Sequence, residues 1–328
     1  MSYNGVAMTK AQIKAQHARA NGTSERELGS NPSFWYQVVW RLSPGTPVGR
    51  AINAARQRLE DAGCDTPHLD AQVFLAHVLG VERTWLFAHH EYELTEDEAA
   101  AFTALVTRRM RHEPVAYLVG HKEFYGLDFL VDRRVLIPRP ETELLVDAVI
   151  DHIAMRDEQP VTVVDVGTGS GAIALAVAAN CPNARVYAID LSADALAVAR
   201  QNVERLDARG QVTLLHGDLL APLPELVDMI VANLPYISSA TYAQLMVDVR
   251  DYEPQLALEA GPEGLDAITR LLMQAPHYLK MHGLIFLEIG HDQGAAVTHL
   301  ARTLLPPHAT IRLRQDYQGH DRLVIIAL

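Results

Sequence analysis

From Val161 onward the chain alternates short apolar runs with helical stripes, and the first run ends in a glycine loop, Asp165-Val166-Gly167-Thr168-Gly169-Ser170-Gly171. This alternation constrains the fold more than any other feature. Runs at 161–166, 185–190, 211–216, 227–232 and 284–289 read as strands. The sheet core they form is apolar, as a parallel sheet covered on both faces requires. Helical stripes at 172–179, 193–206 and 265–278 separate them, and 322–328 reads as a final strand. Repeated βαβ units of this kind predict a doubly wound α/β sheet with right-handed crossovers.

The residues before this region follow a different period. Val48, Ile52, Ala55 and Leu59 make one helical stripe, ending near Gly63. Leu69, Val73, Leu75, Ala76 and Leu79 make a second, closed by Gly80. Thr95 and Glu98 stand at capping-box spacing ahead of a third, with Ala101, Leu105 and Val106. A small helical bundle is expected over 47–113. Residues 1–46 are polar and rich in breakers apart from the cluster at Phe34, Trp35, Tyr36, Val38, Val39 and Trp40, and read as a flexible extension. After Pro114, a β-hairpin over 122–137 is expected inside a linker of 114–140, followed by a helix at 142–154 and a second domain at 141–328.

Charge and cysteine content narrow the function. Residues after 113 carry 16 basic and 27 acidic side chains, net −11, which lacks the positive excess that favours a phosphate backbone. Two cysteines, Cys64 and Cys181, are too few for a disulfide framework, and no ligand spacing points to a metal. No apolar run approaches the ~18 residues of a membrane span, and no secretory signal is seen, so a reduced, cytoplasmic setting is expected.

Two motifs carry chemistry. Glycines let the loop turn sharply and lie close to a ligand, and Asp190, at the end of the second strand, can accept both hydroxyls of a ribose. Together they point to an adenosine-containing cofactor, either a nicotinamide dinucleotide or S-adenosylmethionine. The latter has no phosphate and needs a polar group after the third strand to meet adenine, a place filled by Asp218 with Leu219 beside it. The second motif, Asn233-Leu234-Pro235-Tyr236, follows the fourth strand at the carboxyl edge where ligands bind. Its residue types suit methylation of a planar nitrogen. The Asn233 side-chain oxygen and the Leu234 carbonyl can accept two N–H bonds and hold that nitrogen in line with a methyl donor. They also favour the positive charge that develops there. Pro235 stiffens the turn and Tyr236 can stack on the substrate plane.

These residues resemble a known family. The chain is similar to the release-factor glutamine methyltransferases of the HemK/PrmC type. The matching residues are Pro114-Val115-Ala116-Tyr117-Leu118, Glu123-Phe124-Tyr125-Gly126 and Ile137-Pro138-Arg139-Pro140-Glu141-Thr142-Glu143. The glycine loop, Asp190, Asn233 to Tyr236, Glu253-Pro254 and Gly319-His320-Asp321-Arg322 continue the match. The resemblance implies a Rossmann-like class I methyltransferase sheet. It also implies that Asp165, Val166, Gly167, Thr168, Gly169, Asp190 and Asn233 contact S-adenosylmethionine, with Glu141 and Thr142 near its methionine part. Asn233, Leu234, Pro235 and Tyr236 would hold the substrate glutamine, and Phe124 would help wall the pocket. The partner implied is a class-1 peptide chain release factor, methylated on the glutamine of its Gly-Gly-Gln loop. A monomer is expected, with no membrane and no direct nucleic-acid contact.

Leu234 departs from the family, which has Pro there. Leucine keeps the carbonyl but lacks the fixed φ and adds an N–H. The form Asn-Leu-Pro-Tyr also occurs in ribosomal RNA adenine dimethylases. An RNA adenine methyltransferase is therefore the alternative, and a cofactor-binding relative without transfer activity is a third reading.

Overall fold

The computed structural model describes residues 40–156 and 159–328. The expected aromatic cluster lies outside the described residues apart from Trp40. The chain divides into two compact units, Met1–Glu113 and Pro114–Leu328.

The first unit is helical: α1 (Val48–Asp61), α2 (Pro67–Leu79), α3 (Arg83–Ala88) and α4 (Glu96–Arg109). One face of α1 buries Val48, Ala51, Ile52, Ala55 and Leu59, the spacing of an amphipathic helix. The capping box at α4 forms: the Thr95 hydroxyl accepts from the Glu98 amide at 3.3 Å, and the Glu98 carboxylate accepts from the Thr95 amide at 2.8 Å. Helix α3 has no counterpart in the sequence reading, because it is six residues long and buries only Leu86. Inside this unit Arg109 Nε donates to Asp70 Oδ2 at 2.8 Å, and the Thr66 hydroxyl donates to Asp70 Oδ1 at 2.6 Å.

The second unit opens with α5 (Val115–Val119) and a hairpin of β1 (His121–Phe124) and β2 (Leu127–Leu130). Tyr125 and Gly126, both at positive φ, make its two-residue turn. The hairpin is shorter than the expected 122–137. Beyond Leu130 the Asp132 carboxylate accepts from the Arg134 amide at 3.0 Å and holds a turn that ends the pairing. A 3₁₀ turn, Pro140–Thr142, then leads into α6 (Glu143–Ala154).

The main sheet follows: β3 (Val161–Val166), α7 (Ala172–Asn180), β4 (Ala184–Asp190), α8 (Ala193–Arg205), β5 (Val212–His216) and β6 (Val227–Ala232). Short helices α9 (Ser239–Tyr242) and α10 (Val247–Arg250) precede α11 (Asp266–Gln274), β7 (Leu279–Glu288), α12 (Gly294–Leu304), β8 (Thr310–Gln315) and β9 (Asp321–Ala327). Strand order is β5-β4-β3-β6-β7-β9-β8. Pairing is parallel from β5 to β7, and β9 runs antiparallel to both β7 and β8. The sheet is therefore mixed at one end, where the sequence read only a final strand. Val163 faces a core layer shared with α6, α7 and α8, while Val164 and Val166 face one shared with α11 and α12. Among the described residues no helix is long and apolar enough to cross a membrane.

Candidate active site

The glycine loop leaves β3 at the carboxyl edge of the sheet. The amides of Gly167 and Thr168 both donate to the Ile189 carbonyl at 2.9 Å, which ties the loop to β4. Gly167 sits at φ +76°, and a Cβ there would come within 3.1 Å of Leu234 Cδ2. The loop and the Asn233 motif thus touch only because this residue is glycine. Asp165 lies beneath. Its Oδ2 accepts from the Thr168 hydroxyl at 2.6 Å and the Ala174 amide at 3.2 Å, while Oδ1 is buried with no partner. Burial pushes its pKa up to about 7.

Asp190, ending β4, braces the loop from the side. Its Oδ2 accepts from the Gly169 amide and its Oδ1 from the Ser192 amide, each at 2.8 Å. Burial raises its pKa against the pull of these amides. After β5, Asp218 pairs with Arg270, and Leu219 takes a positive φ.

The second motif follows β6. Asn233 Nδ2 donates to Thr142 Oγ1 at 3.1 Å. Glu288, the last residue of β7, stands beside Thr142 and Asn233, whose polar groups favour its charged form, and its Oε2 is buried with no hydrogen-bond partner. Burial pushes the Glu288 pKa up to about 7. The Tyr236 carbonyl accepts from Gln293 Nε2 at 2.9 Å, and Gln293 also donates to the Gly264 carbonyl at 3.2 Å. Gly264 is at φ +71°, where a Cβ would stand 2.2 Å from the Tyr236 oxygen, so only glycine lets these segments approach. Burial, with Glu288 nearby, pushes the Tyr236 hydroxyl up to about 12. On the linker side, Glu253 accepts from Arg139 Nη2 at 2.5 Å and from the Ile137 amide at 3.1 Å.

A cavity of about 350 Å³ opens between the motifs. Val166, Gly167, Gly169, Asp190, Asp218 and Leu219 line one part of it. Asn233, Leu234 and Pro235 line another. Asp165, Thr168, Thr142, Glu141, Tyr236 and Phe124 are not in its wall. Asp165 and Thr142 lie behind it, and Tyr236 bears on the motif through its backbone. Phe124 is buried in the apolar core, edge-on to Phe129. Leu234 is buried and packs on Gly167. The rest of the wall comes from Arg134 to Leu136 and from the segment around Pro254, Leu256 and Gly261. Sequence reasoning did not assign these residues to the site. The glycines at 261 and 264, both at positive φ, are a signal that the segment folds back. Among the described residues no side-chain cluster could hold a metal ion.

Glycine backbone, a carboxylate at the second strand end and apolar walls from Ile189, Leu191 and Leu219 suit a nucleoside with a ribose. Asn233 and Leu234 add two acceptor oxygens at the adjoining strand end.

Comparison with known proteins agrees with this geometry. Residues 50–120 match the PrmC N-terminal domain family, and residues 141–249 match the methyltransferase small domain family. The release factor glutamine methyltransferase of Moorella thermoacetica is 45% identical over 274 residues, which is 83% of this chain and 95% of that protein. The Caulobacter vibrioides protein of the same name is 40% identical over 277 residues, covering 84% of this chain and 94% of its own. The hMettl16 catalytic domain, solved with an RNA hairpin, shares the fold at a TM-score of 0.50 and 16% identity, over 67% of this chain and 81% of that one.

Proposed function

The chain belongs to the release factor glutamine methyltransferase family, and from that premise we propose that it transfers a methyl group from S-adenosylmethionine to the side-chain amide nitrogen of a glutamine, in the Gly-Gly-Gln motif of a class-1 peptide chain release factor. The observation that carries this reading is the Asn233 carboxamide. Its nitrogen is tied to Thr142, which leaves Oδ1 as the acceptor for a ligand in the cavity that Asn233 lines.

When bound, S-adenosylmethionine supplies an electrophilic methyl on a sulfonium. Residues Gly167 and Gly169 would hold it through backbone approach. Asp190 would accept its ribose hydroxyls, since each carboxylate oxygen keeps a lone pair beyond its amide bond. Asp218 and Leu219 would meet the adenine.

An amide nitrogen is a poor nucleophile because its lone pair is delocalised. Asn233 Oδ1 and the Leu234 carbonyl accept its two N–H bonds and hold it in line with the methyl, a positioning effect. As positive charge grows on nitrogen, the same two oxygens stabilise it. Gln293 locks the Tyr236 carbonyl and so keeps the motif's backbone from sliding. In this reading residues 47–113 recognise the protein substrate, 114–140 link, and 141–328 carry out transfer. The protein works as a cytoplasmic monomer without binding nucleic acid.

The test is incubation with methyl-labelled S-adenosylmethionine and, separately, a class-1 release factor and ribosomal RNA. Label on the Gly-Gly-Gln glutamine supports the proposal. Label on adenine replaces it with RNA methylation, and no label on either replaces it with a binding protein.

A further inference from the structure

Glu288 closes β7, a strand that is otherwise apolar at this end, and is 3% exposed. A carboxylate in such a place costs stability unless something is gained from it. Register explains its neighbours. Ala232 of β6 pairs with Leu287 of β7, so Asn233 and Glu288 are the next residues out at the carboxyl edge. Thr142 comes from the 3₁₀ turn before α6 and reaches both of them.

We propose that Glu288, acting with Thr142, is the positioning residue that decides which way the Asn233 carboxamide faces; this rests on the glutamine-methylating reading above. In its ionised form Glu288 only accepts, so the single Thr142 O–H turns toward it. The Thr142 oxygen is then left as an acceptor, and it receives one N–H of Asn233. The register sets Glu288 beside Asn233, where its carboxylate is the acceptor for the second N–H of the carboxamide in this arrangement. Both hydrogens of the carboxamide are consumed on the protein side, and Oδ1 is the only polar atom left for the substrate. Without the carboxylate, the Thr142 hydroxyl is free to rotate and donate to Oδ1. The carboxamide then turns over and presents NH2 to the substrate's NH2. Two donors face each other and no hydrogen bond forms. Arg322 lies close enough to favour the charged form of Glu288, and its Nε is itself buried without a partner. Glu141 opposes it from the exposed end of the 3₁₀ turn.

The experiment compares Glu288→Met with Glu288→Gln in the full chain. Transfer to the release factor is followed as separate kcat and KM values, alongside a thermal melt. Methionine removes the acceptor and fills the space. The expected result is a kcat lower by about 10- to 100-fold, the scale of a misplaced reacting group, with KM for both substrates little changed and a melting point at or above that of the parent. Glutamine keeps one acceptor oxygen and recovers part of kcat. Should methionine fail to pack, Thr142→Val removes the hydroxyl that joins Asn233 to Glu288, and it too lowers kcat with KM held. Parent-like kcat in Glu288→Met, a loss confined to KM, or a loss of activity that follows a lowered melting point overturns the inference. Absence of transfer by the unaltered protein would instead overturn the functional reading on which it rests.

Discussion

Asp70 in the helical unit and Glu288 in the α/β unit are 2% and 3% exposed, yet they are held on different terms. Asp70 meets a full guanidinium charge from Arg109 and a hydroxyl from Thr66, one on each oxygen. Among the described residues Glu288 has no ion-pair partner within bonding distance and keeps one oxygen without a hydrogen bond, and Asp165 does the same. A region that has only to hold together closes its buried charges off. A region that must receive a ligand keeps acceptor capacity in reserve and is less stable for it. The helical unit is a scaffold in this respect, and the α/β unit carries the cost of a site.

The pH dependence of stability tests this contrast on the largest scale. Asp165 and Glu288 both have folded pKa values raised to about 7. Between their ordinary carboxylate values and pH 7 the folded α/β unit holds protons that the unfolded chain has released. Its stability therefore falls as pH rises through that window, by an amount that for two such shifts reaches several kcal/mol. In the helical unit Glu98 works the other way. The Thr95 amide holds its pKa down, so its contribution is present above the ordinary glutamate value and is lost as pH falls. Urea melts at mildly acidic and mildly alkaline pH should show the α/β transition weaker in the alkaline buffer. A flat or opposite slope would break the comparison.

Next in size is Arg109→Ala. It strands Asp70 and should destabilise the helical unit by about 3–5 kcal/mol, while S-adenosylmethionine affinity measured by calorimetry stays at the parent value. An equal loss of affinity would mean that the scaffold is part of the site. Asn233→Ala should give the reverse pattern. Transfer falls by about 10²–10³-fold, the scale for removing one group that stabilises developing charge, and the melting point is little changed. Turnover at the parent rate would remove Asn233 from the chemistry. Asp190→Ala should weaken cofactor binding by about 1.5–3 kcal/mol for each ribose bond to a charged acceptor, which calorimetry reads directly. The smallest effect is expected for Leu234→Pro. The carbonyl is kept and the backbone stiffened, so kcat should stay within about threefold of the parent. A complete loss would give the Leu234 side chain, packed on Gly167, a role beyond filling space.

Much of the fold is legible because strands buried on both faces are dominated by apolar residues. All six residues of β3 are buried, and its bounds follow from a run in which only Thr162 and Asp165 are polar. The capping box of α4 is equally plain, since it is a local bond between Thr95 and Glu98. Strand β8 is hidden for the opposite reason. It is an edge strand with Arg312 and Arg314 exposed, and such charges protect an edge while erasing the pattern that would reveal it. β7 starts five residues before the expected 284 because Lys280, His282 and Gly283 interrupt its apolar run. At the site, the glycine loop and Asn233 to Pro235 could be read from residue type and place, and they line the cavity. The far wall could not, because contacts of the 254–267 segment depend on two glycines whose φ values are set by tertiary packing. The link from Glu288 to Asn233 is invisible for a similar reason, since only the β6–β7 register makes them neighbours.

The order in which the sheet is laid down adds a constraint in time. Glu288 pairs with Leu323, and the Ile289 amide donates to the Arg322 carbonyl, so the strand that flanks this carboxylate arrives 35 residues later in the chain. As the polypeptide leaves a ribosome, β7 has an open flank until β9 has emerged and slotted in beside it. The glycine loop and Asp190 can assemble well before that moment, but the carboxylate cannot be enclosed. A nascent chain would thus acquire a place for its methyl donor before it acquires the means to orient the acceptor, and productive turnover would begin only once β9 has been inserted.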